Sequence, residues 1–172
     1  MKGRFYKVFD ETISASVSKQ ELTEKYFNMI YKLALSQTKD KQHAEDVCQD
    51  VFLKFLSSDK EFTSEEHAKA WLIRVAINAS KSIFTSSWFK KTVPLSEGEN
   101  IAFETKEESD VFYAVADLPF KYKTVIHLFY YEDLSVSEIA KYLGIGENTV
   151  KSQLHRGREL LKEKLKGEFN FV

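Results

Sequence analysis

The sequence predicts an all-α protein made of two small helical domains joined by an acidic linker. Three observations carry that reading. Apolar residues recur every three or four positions over most of the chain, the spacing that gathers them on one helical face. Only 6 Gly and 2 Pro occur in 172 residues, too few turn formers for an all-β fold with its many reversals. Between two periodic stretches the period is lost, and residues 85–110 hold 3 basic against 6 acidic side chains.

Residues 1–17 form an N-terminal extension in which Phe5, Phe9, Ile13 and Val17 stand four apart. A short extra helix and a frayed tail both fit that spacing. The first domain, 18–87, contains three helical stripes. Leu22, Tyr26, Met29, Ile30 and Leu33 mark the first, and Ala44, Val47, Cys48, Val51 and Phe55 the second. The third runs through Ala68, Trp71, Leu72, Val75, Ala76, Ala79 and Ile83. Thr63 and Glu66 just before it have the spacing of a capping box. Three such helices can bury their stripes against one another. Residues 88–108 read as the linker, punctuated by Pro94, Gly98 and Asn100, with a short interdomain helix as the alternative.

The second domain, 109–172, opens with a helix carrying Val111, Val115 and Leu118. Pro119 suits the first position of the next helix, where its missing N–H goes unneeded. That helix presents Tyr122, Val125, Ile126 and Phe129. Ser135 and Glu138 then form a second capping box, worth about 1 kcal/mol for the cap. Ile139, Ala140 and Leu143 give the buried edge of a short helix, Gly144-Ile145-Gly146 interrupts it, and Val150, Leu154, Leu161 and Leu165 mark a last long helix.

Composition narrows the function. The chain holds 25 basic and 26 acidic side chains, so it is no polycation that coats nucleic acid indiscriminately. Residues 147–166 nevertheless carry 6 basic against 3 acidic side chains, a local basic stripe. The single cysteine, Cys48, precludes a disulfide framework or a cysteine pair for zinc, and no metal site is expected. No apolar run approaches the ~18 residues of a membrane span, and the charged N-terminus lacks a secretory apolar block. The expectation is a protein retained in a reducing cytoplasm, without membrane insertion.

The segment from Ser135 to Lys166 has the layout of a helix-turn-helix. Small Ala140 lets two helices cross closely, and Ile145 plugs the angle between them. With Val150 and Leu154 facing in, Lys151, Ser152, His155, Arg156 and Arg158 face out. These are donors that meet base edges and phosphates in a major groove. Gly146 at the helix start leaves free N–H groups able to take a phosphate. Glycine-joined helices with a basic face also occur in proteins that touch no DNA, and the clustering of cations on one helix of a neutral chain favours DNA.

The stretch LPFKYKTVIHLFYYEDLSVSEIAKYLGIGENTVKSQLHRGRELLKEKL resembles the promoter-binding C-terminal domain of extracytoplasmic-function sigma factors, a branch of the sigma-70 family. AEDVCQDVFLKFL followed by AWLIRVAIN is similar to the core-binding and minus-ten-recognition helices of the same family. The resemblance spans about 20–87 and 109–166, in the family's order. It implies a subunit that binds core RNA polymerase and directs promoter-specific initiation of DNA-templated transcription. Lys151, Ser152, His155, Arg156 and Arg158 would then serve the minus-thirty-five element. Arg74, Asn78 and Lys81 would serve the minus-ten element, although Ile77 and Ser82 depart from the family's pattern there. The loop Ser57–Thr63 lies where the family captures a flipped base. Asp46, Gln49 and Asp50 share one helical face, with Lys54 a turn further, and would dock on polymerase. The resemblance also implies an anti-sigma factor as partner, and an acidic linker suited to a basic channel of polymerase. It implies no cofactor, small-molecule substrate or catalytic residue.

Three other classes compete. A free-standing helix-turn-helix regulator would dimerise on palindromes, yet no heptad-like dimer seam is evident. It also leaves the Asp46/Gln49/Asp50 face unexplained. An enzyme is disfavoured because Cys48 lies on an apolar stripe, His43 is poorly spaced from it, and no GxxxxGK[ST] loop occurs. A pure adaptor differs only in lacking DNA contact, and alanine at Lys151 and Arg156 separates the two. Gly157, inside the last helix, suggests a close approach, to DNA or polymerase.

Overall fold

The computed structural model describes residues 18–85 and 104–168. The N-terminal extension and the alternative linker helix lie outside them. The described residues form seven helices and no strand. α1 (Lys19–Thr38), α2 (Lys41–Ser57) and α3 (Glu65–Thr85) make the first domain. α4 (Lys106–Ala116), α5 (Phe120–Tyr130), α6 (Val136–Leu143) and α7 (Glu147–Glu168) make the second.

Local chemistry sets the helix ends. Ser18 opens α1 with a reciprocal capping box: its hydroxyl accepts from Glu21 N–H at 3.2 Å, and the Glu21 carboxylate accepts from Ser18 N–H at 3.0 Å. Lys39 closes α1 in the left-handed region, φ 59°, and its N–H donates to the Leu35 carbonyl. Asp40 then caps α2 by accepting from His43 N–H at 2.8 Å. α3 begins one residue later than the Thr63/Glu66 spacing predicts. Ser64 is the cap, accepting from His67 N–H at 3.1 Å, while the Thr63 hydroxyl meets the His67 ring. Pro119 is likewise one place off. With ψ 143° it stands before the first turn of α5, so Phe120 is the first helical residue. α4 starts at Lys106 because Thr105 caps it, so the helix claims the last residues assigned to the linker.

The stripes close as expected within each domain. Leu22, Ile30, Leu33, Ala44, Val47, Cys48, Val51, Phe55, Ala68, Leu72 and Ala76 are buried together. Burial pushes the Cys48 thiol up to about 12, in keeping with a core residue. In the second domain Val115, Leu118, Val125, Ile126, Ile139, Val150 and Leu154 do the same.

The apolar period does not announce how the domains sit together. Every residue from Leu33 to Thr38 is buried. A helix packed on one neighbour buries only a stripe. The end of α1 is enclosed on all sides because α2 and α3 pack on it from one domain, and α4 and α5 from the other. α3 also packs on α6. The two domains therefore share one continuous core.

Candidate functional site

The helix-turn-helix forms as its residues dictate. Ser135 and Glu138 cap α6 reciprocally, and the Ser135 hydroxyl and N–H hold the Glu138 carboxyl below the usual range. Gly144 ends the helix at φ +67°, a conformation costly for any residue with a Cβ. Ile145 packs against the core beneath the turn, and its N–H donates to the Ala140 carbonyl at 3.0 Å. Buried Val150 and Leu154 seat α7.

Lys151, Ser152, His155, Arg156 and Arg158 are all exposed on α7. Glu159 holds two of them from below, at 3.0 Å from the Arg156 guanidinium and 3.5 Å from His155 Nε2. Arg158 leans away, its Nη1 3.4 Å from the Tyr130 hydroxyl. It stands at the rim of an apolar groove of about 860 Å³ lined by Val111, Val115, Ile126, Tyr130, Leu161 and Leu165.

Gly157 has an internal explanation. It is buried, and a Cβ there would lie 2.9 Å from Ile126 Cγ1 and 3.6 Å from Tyr122 Cβ. The close approach is between α7 and α5, not toward DNA or polymerase as the sequence suggests.

On α3, Asn78 and Lys81 are exposed. Arg74 is engaged: Nε donates to the Tyr142 carbonyl at 3.0 Å, and Nη2 to the Lys141 carbonyl at 3.2 Å. The Ile77 departure has a physical reason, since that side chain is buried in the core while Ser82 is exposed. Trp71 packs against the core, 5.8 Å from both the Phe55 and Phe62 rings. Phe62 thereby pins the loop from Ser57 to Thr63, and Lys19 reinforces it, lying 5.9 Å from the same two phenyl rings and donating to the Ser58 carbonyl.

On α2, Asp46, Gln49, Asp50 and Lys54 are exposed on one face, with Lys54 and Asp50 paired at 2.7 Å. Sequence reasoning missed three neighbours. Leu53 is 61% exposed, Leu56 45% and Phe27 46%, the last stacked on Phe52 at 5.7 Å. The signal was available, because Leu53 and Leu56 fall off the stripe of Val47, Val51 and Phe55.

An acidic face with exposed leucines on one domain and a basic helix-turn-helix on the other is the geometry against which relatives can be judged. Residues 22–89 match the sigma-70 region 2 family, and residues 110–161 match sigma-70 region 4. The chain is 31% identical over 144 residues to the RNA polymerase sigma factor SigV of Bacillus subtilis (strain 168), covering 80% of this chain and 85% of that one. The chain belongs to the extracytoplasmic-function sigma factors. It is also 29% identical over 154 residues to SigM of Bacillus subtilis (strain 168), named an ECF RNA polymerase sigma factor, covering 83% of this chain and 91% of that one. The fold resembles that of the sigma factor RpoE from Bartonella quintana, solved with the anti-sigma factor NepR: TM-score 0.66, 23% identity, 86% of this chain and 96% of that one. It also resembles CnrH, solved with the cytosolic domain of CnrY: TM-score 0.58, 19% identity, 92% and 96%.

This sigma factor acts with core RNA polymerase and directs initiation at promoters, and sigma factors are regulatory proteins. The comparisons lend no support to a free-standing regulator. Sigma factors work on DNA and polymerase in the cell interior. No helix among the described residues is long and apolar enough to cross a membrane.

Proposed function

We propose that the two domains of this sigma factor divide the promoter between them, and that each reads DNA well only when polymerase holds both. Lys151, Ser152, His155 and Arg156 on α7 read the minus-thirty-five element, with Arg158 at the edge of that face. Arg74, Asn78 and Lys81 on α3 serve the minus-ten element. Asp46, Gln49, Asp50 and Lys54, extended by Leu53 and Leu56, dock on polymerase. An acidic and apolar helical face suits a basic helical partner. By analogy with RpoE and CnrH, an anti-sigma factor restrains the protein in the cytoplasm.

The exposed basic face of α7 carries the DNA reading, and its small size argues for polymerase as the holder. If Lys151, Arg156 and Arg158 neutralise about three phosphates, the salt slope is about −2.7, a loss of only about 40-fold in affinity between 50 and 200 mM salt. Two weak sites at fixed spacing gain affinity from their joint attachment. Run-off transcription with core polymerase on a genomic promoter library tests the assignment. The wild-type chain should select a discrete set of starts. Lys151→Ala/Arg156→Ala should abolish them while leaving core binding intact, and unchanged starts with that variant would refute the assignment.

A further inference from the structure

The exposed face of α2 is ordered along its length. Asp46, Asp50, Leu53 and Leu56 fall within about 120° of the helix circumference, since each residue turns the helix by about 100°. The acidic pair lies toward the start of α2 and the leucines toward its end. Phe27 of α1 widens the apolar end, because it stacks on Phe52, one turn before Leu56. That apolar end lies beside the point where the chain enters α1. Lys19, the first residue of α1, donates from Nζ to the carbonyl of Ser58, the residue that follows α2. Residues 1–17 therefore join the domain next to Leu56.

The order of side chains in residues 1–17 matches that face. Phe5, Phe9 and Ile13 stand four apart, the spacing of one helical side. The three cations, Lys2, Arg4 and Lys7, come first, and Asp10 and Glu11 follow. Residues 14–16, Ser-Ala-Ser, are small, and serine favours turns. A helix that reverses there runs back along α2. At about 1.5 Å per residue, Ile13 to Arg4 and Lys2 covers about 14–17 Å, and Leu56 to Asp46 covers about 15 Å. Ile13 then stands level with Leu56, Phe9 with Leu53, Lys7 with Asp50, and Lys2 and Arg4 with Asp46. Asp10 and Glu11 fall level with Lys54, which pairs with Asp50 at 2.7 Å.

We propose that residues 1–17 form a strap along α2, with Phe9 and Ile13 covering Leu53, Leu56 and Phe27 and the cations lying over Asp46 and Asp50. The consequence for polymerase rests on the docking assignment proposed above; the seat of the strap does not. A segment on so short a tether meets its face at an effective concentration of about a millimolar, so weak contacts hold it. Polymerase must displace the strap, and its apparent affinity falls by the fraction of chains that are uncovered.

Disulfide trapping in the full chain reads the seat. Phe9→Cys/Leu53→Cys should close within one chain under oxidised glutathione. Phe9→Cys/Glu66→Cys, whose second site is exposed on α3, should stay open. The native Cys48 is buried. Core-polymerase binding reads the consequence. Phe5→Ser/Phe9→Ser/Ile13→Ser removes the whole stripe and touches no proposed polymerase or DNA contact, so it should tighten binding about fivefold. Adding Leu53→Ser to that variant should weaken binding again. A Phe9→Cys/Leu53→Cys chain that fails to close overturns the proposal. So does one that closes only between two chains, which would put a second copy on the patch. A triple variant that binds no more tightly, while Leu53→Ser still weakens it, also overturns the proposal and leaves the docking assignment standing. If Leu53→Ser changes nothing in that background, the docking assignment fails and the disulfide alone decides the strap.

Discussion

Adding one methyl group at Gly157 tests the packing that orients α7. In an exposed helix, Gly→Ala stabilises by about 1 kcal/mol. At this position the new Cβ would lie 2.9 Å from Ile126 Cγ1 and 3.2 Å from Cδ1. Carbon atoms prefer about 3.5–4.0 Å, so the intrusion is about half an ångström or more. Ile126 is fully buried and β-branched, so it has little freedom to turn aside. Overpacking of this kind costs about 1–3 kcal/mol. The cost outweighs the helix-propensity gain, leaving a net loss of about 1 kcal/mol. For a protein of this size that lowers Tm by about 2–4 °C in a thermal melt of the full chain. A double-mutant cycle with Ile126→Ala sharpens the test, since removing Cγ1 and Cδ1 removes the clash. The coupling should be favourable by at least about 1 kcal/mol. A single Gly157→Ala variant that melts higher than wild type would refute the close α5–α7 contact.

Three further outcomes follow from the same contacts. Burial of Lys123 between two carbonyls lowers its amine to about 7, with Lys39 pushing the same way and Asp117 opposing. The unfolded chain therefore binds more protons above pH 7, and Lys123 makes stability rise from about pH 7 toward 10, by at most about 1.4 kcal/mol per pH unit. Below pH 7 this contribution is flat. Urea unfolding of wild type and Lys123→Met at pH 7 and 8.5 should show the slope only in wild type, below the range where the raised Cys48 and Tyr26 groups act in the opposite sense. Ser135→Ala removes the cap of α6 and should cost about 1 kcal/mol in the same assay, with the helix-turn-helix amides exchanging fastest. Leu53→Ser and Leu56→Ser should leave the melting temperature within about 1–2 °C, because both side chains are exposed, yet weaken core-polymerase binding about tenfold each as buried contact area is lost.

Much of this was legible in the residues. The helical stripes, the Ser135 capping box, the Gly144 turn and the outward face of α7 are local consequences of spacing and side-chain chemistry. So was the face shared by Asp46, Gln49 and Asp50, since positions three and four apart on a helix always meet. Cap positions slipped by one residue at Ser64 and Pro119 because neighbouring residues offer nearly equivalent caps. What spacing cannot convey is which helix of one domain meets which of the other. Nothing in the spacing marks Lys123 as buried or sets Arg74 against the end of α6. The burial of Leu33–Thr38 on every side and the packing of α3 on α6 show where the second domain lands. Gly157 is legible as a close approach, but its partner, Ile126, lies on another helix.

The most direct test of the central claim is the affinity of one promoter fragment for the chain, measured with and without core polymerase at a fixed salt concentration. A specificity subunit held by polymerase should bind weakly alone and at least a hundredfold more tightly, and sequence-specifically, in the complex. Nanomolar, sequence-specific binding by the free chain, unchanged when core polymerase is added, would contradict it.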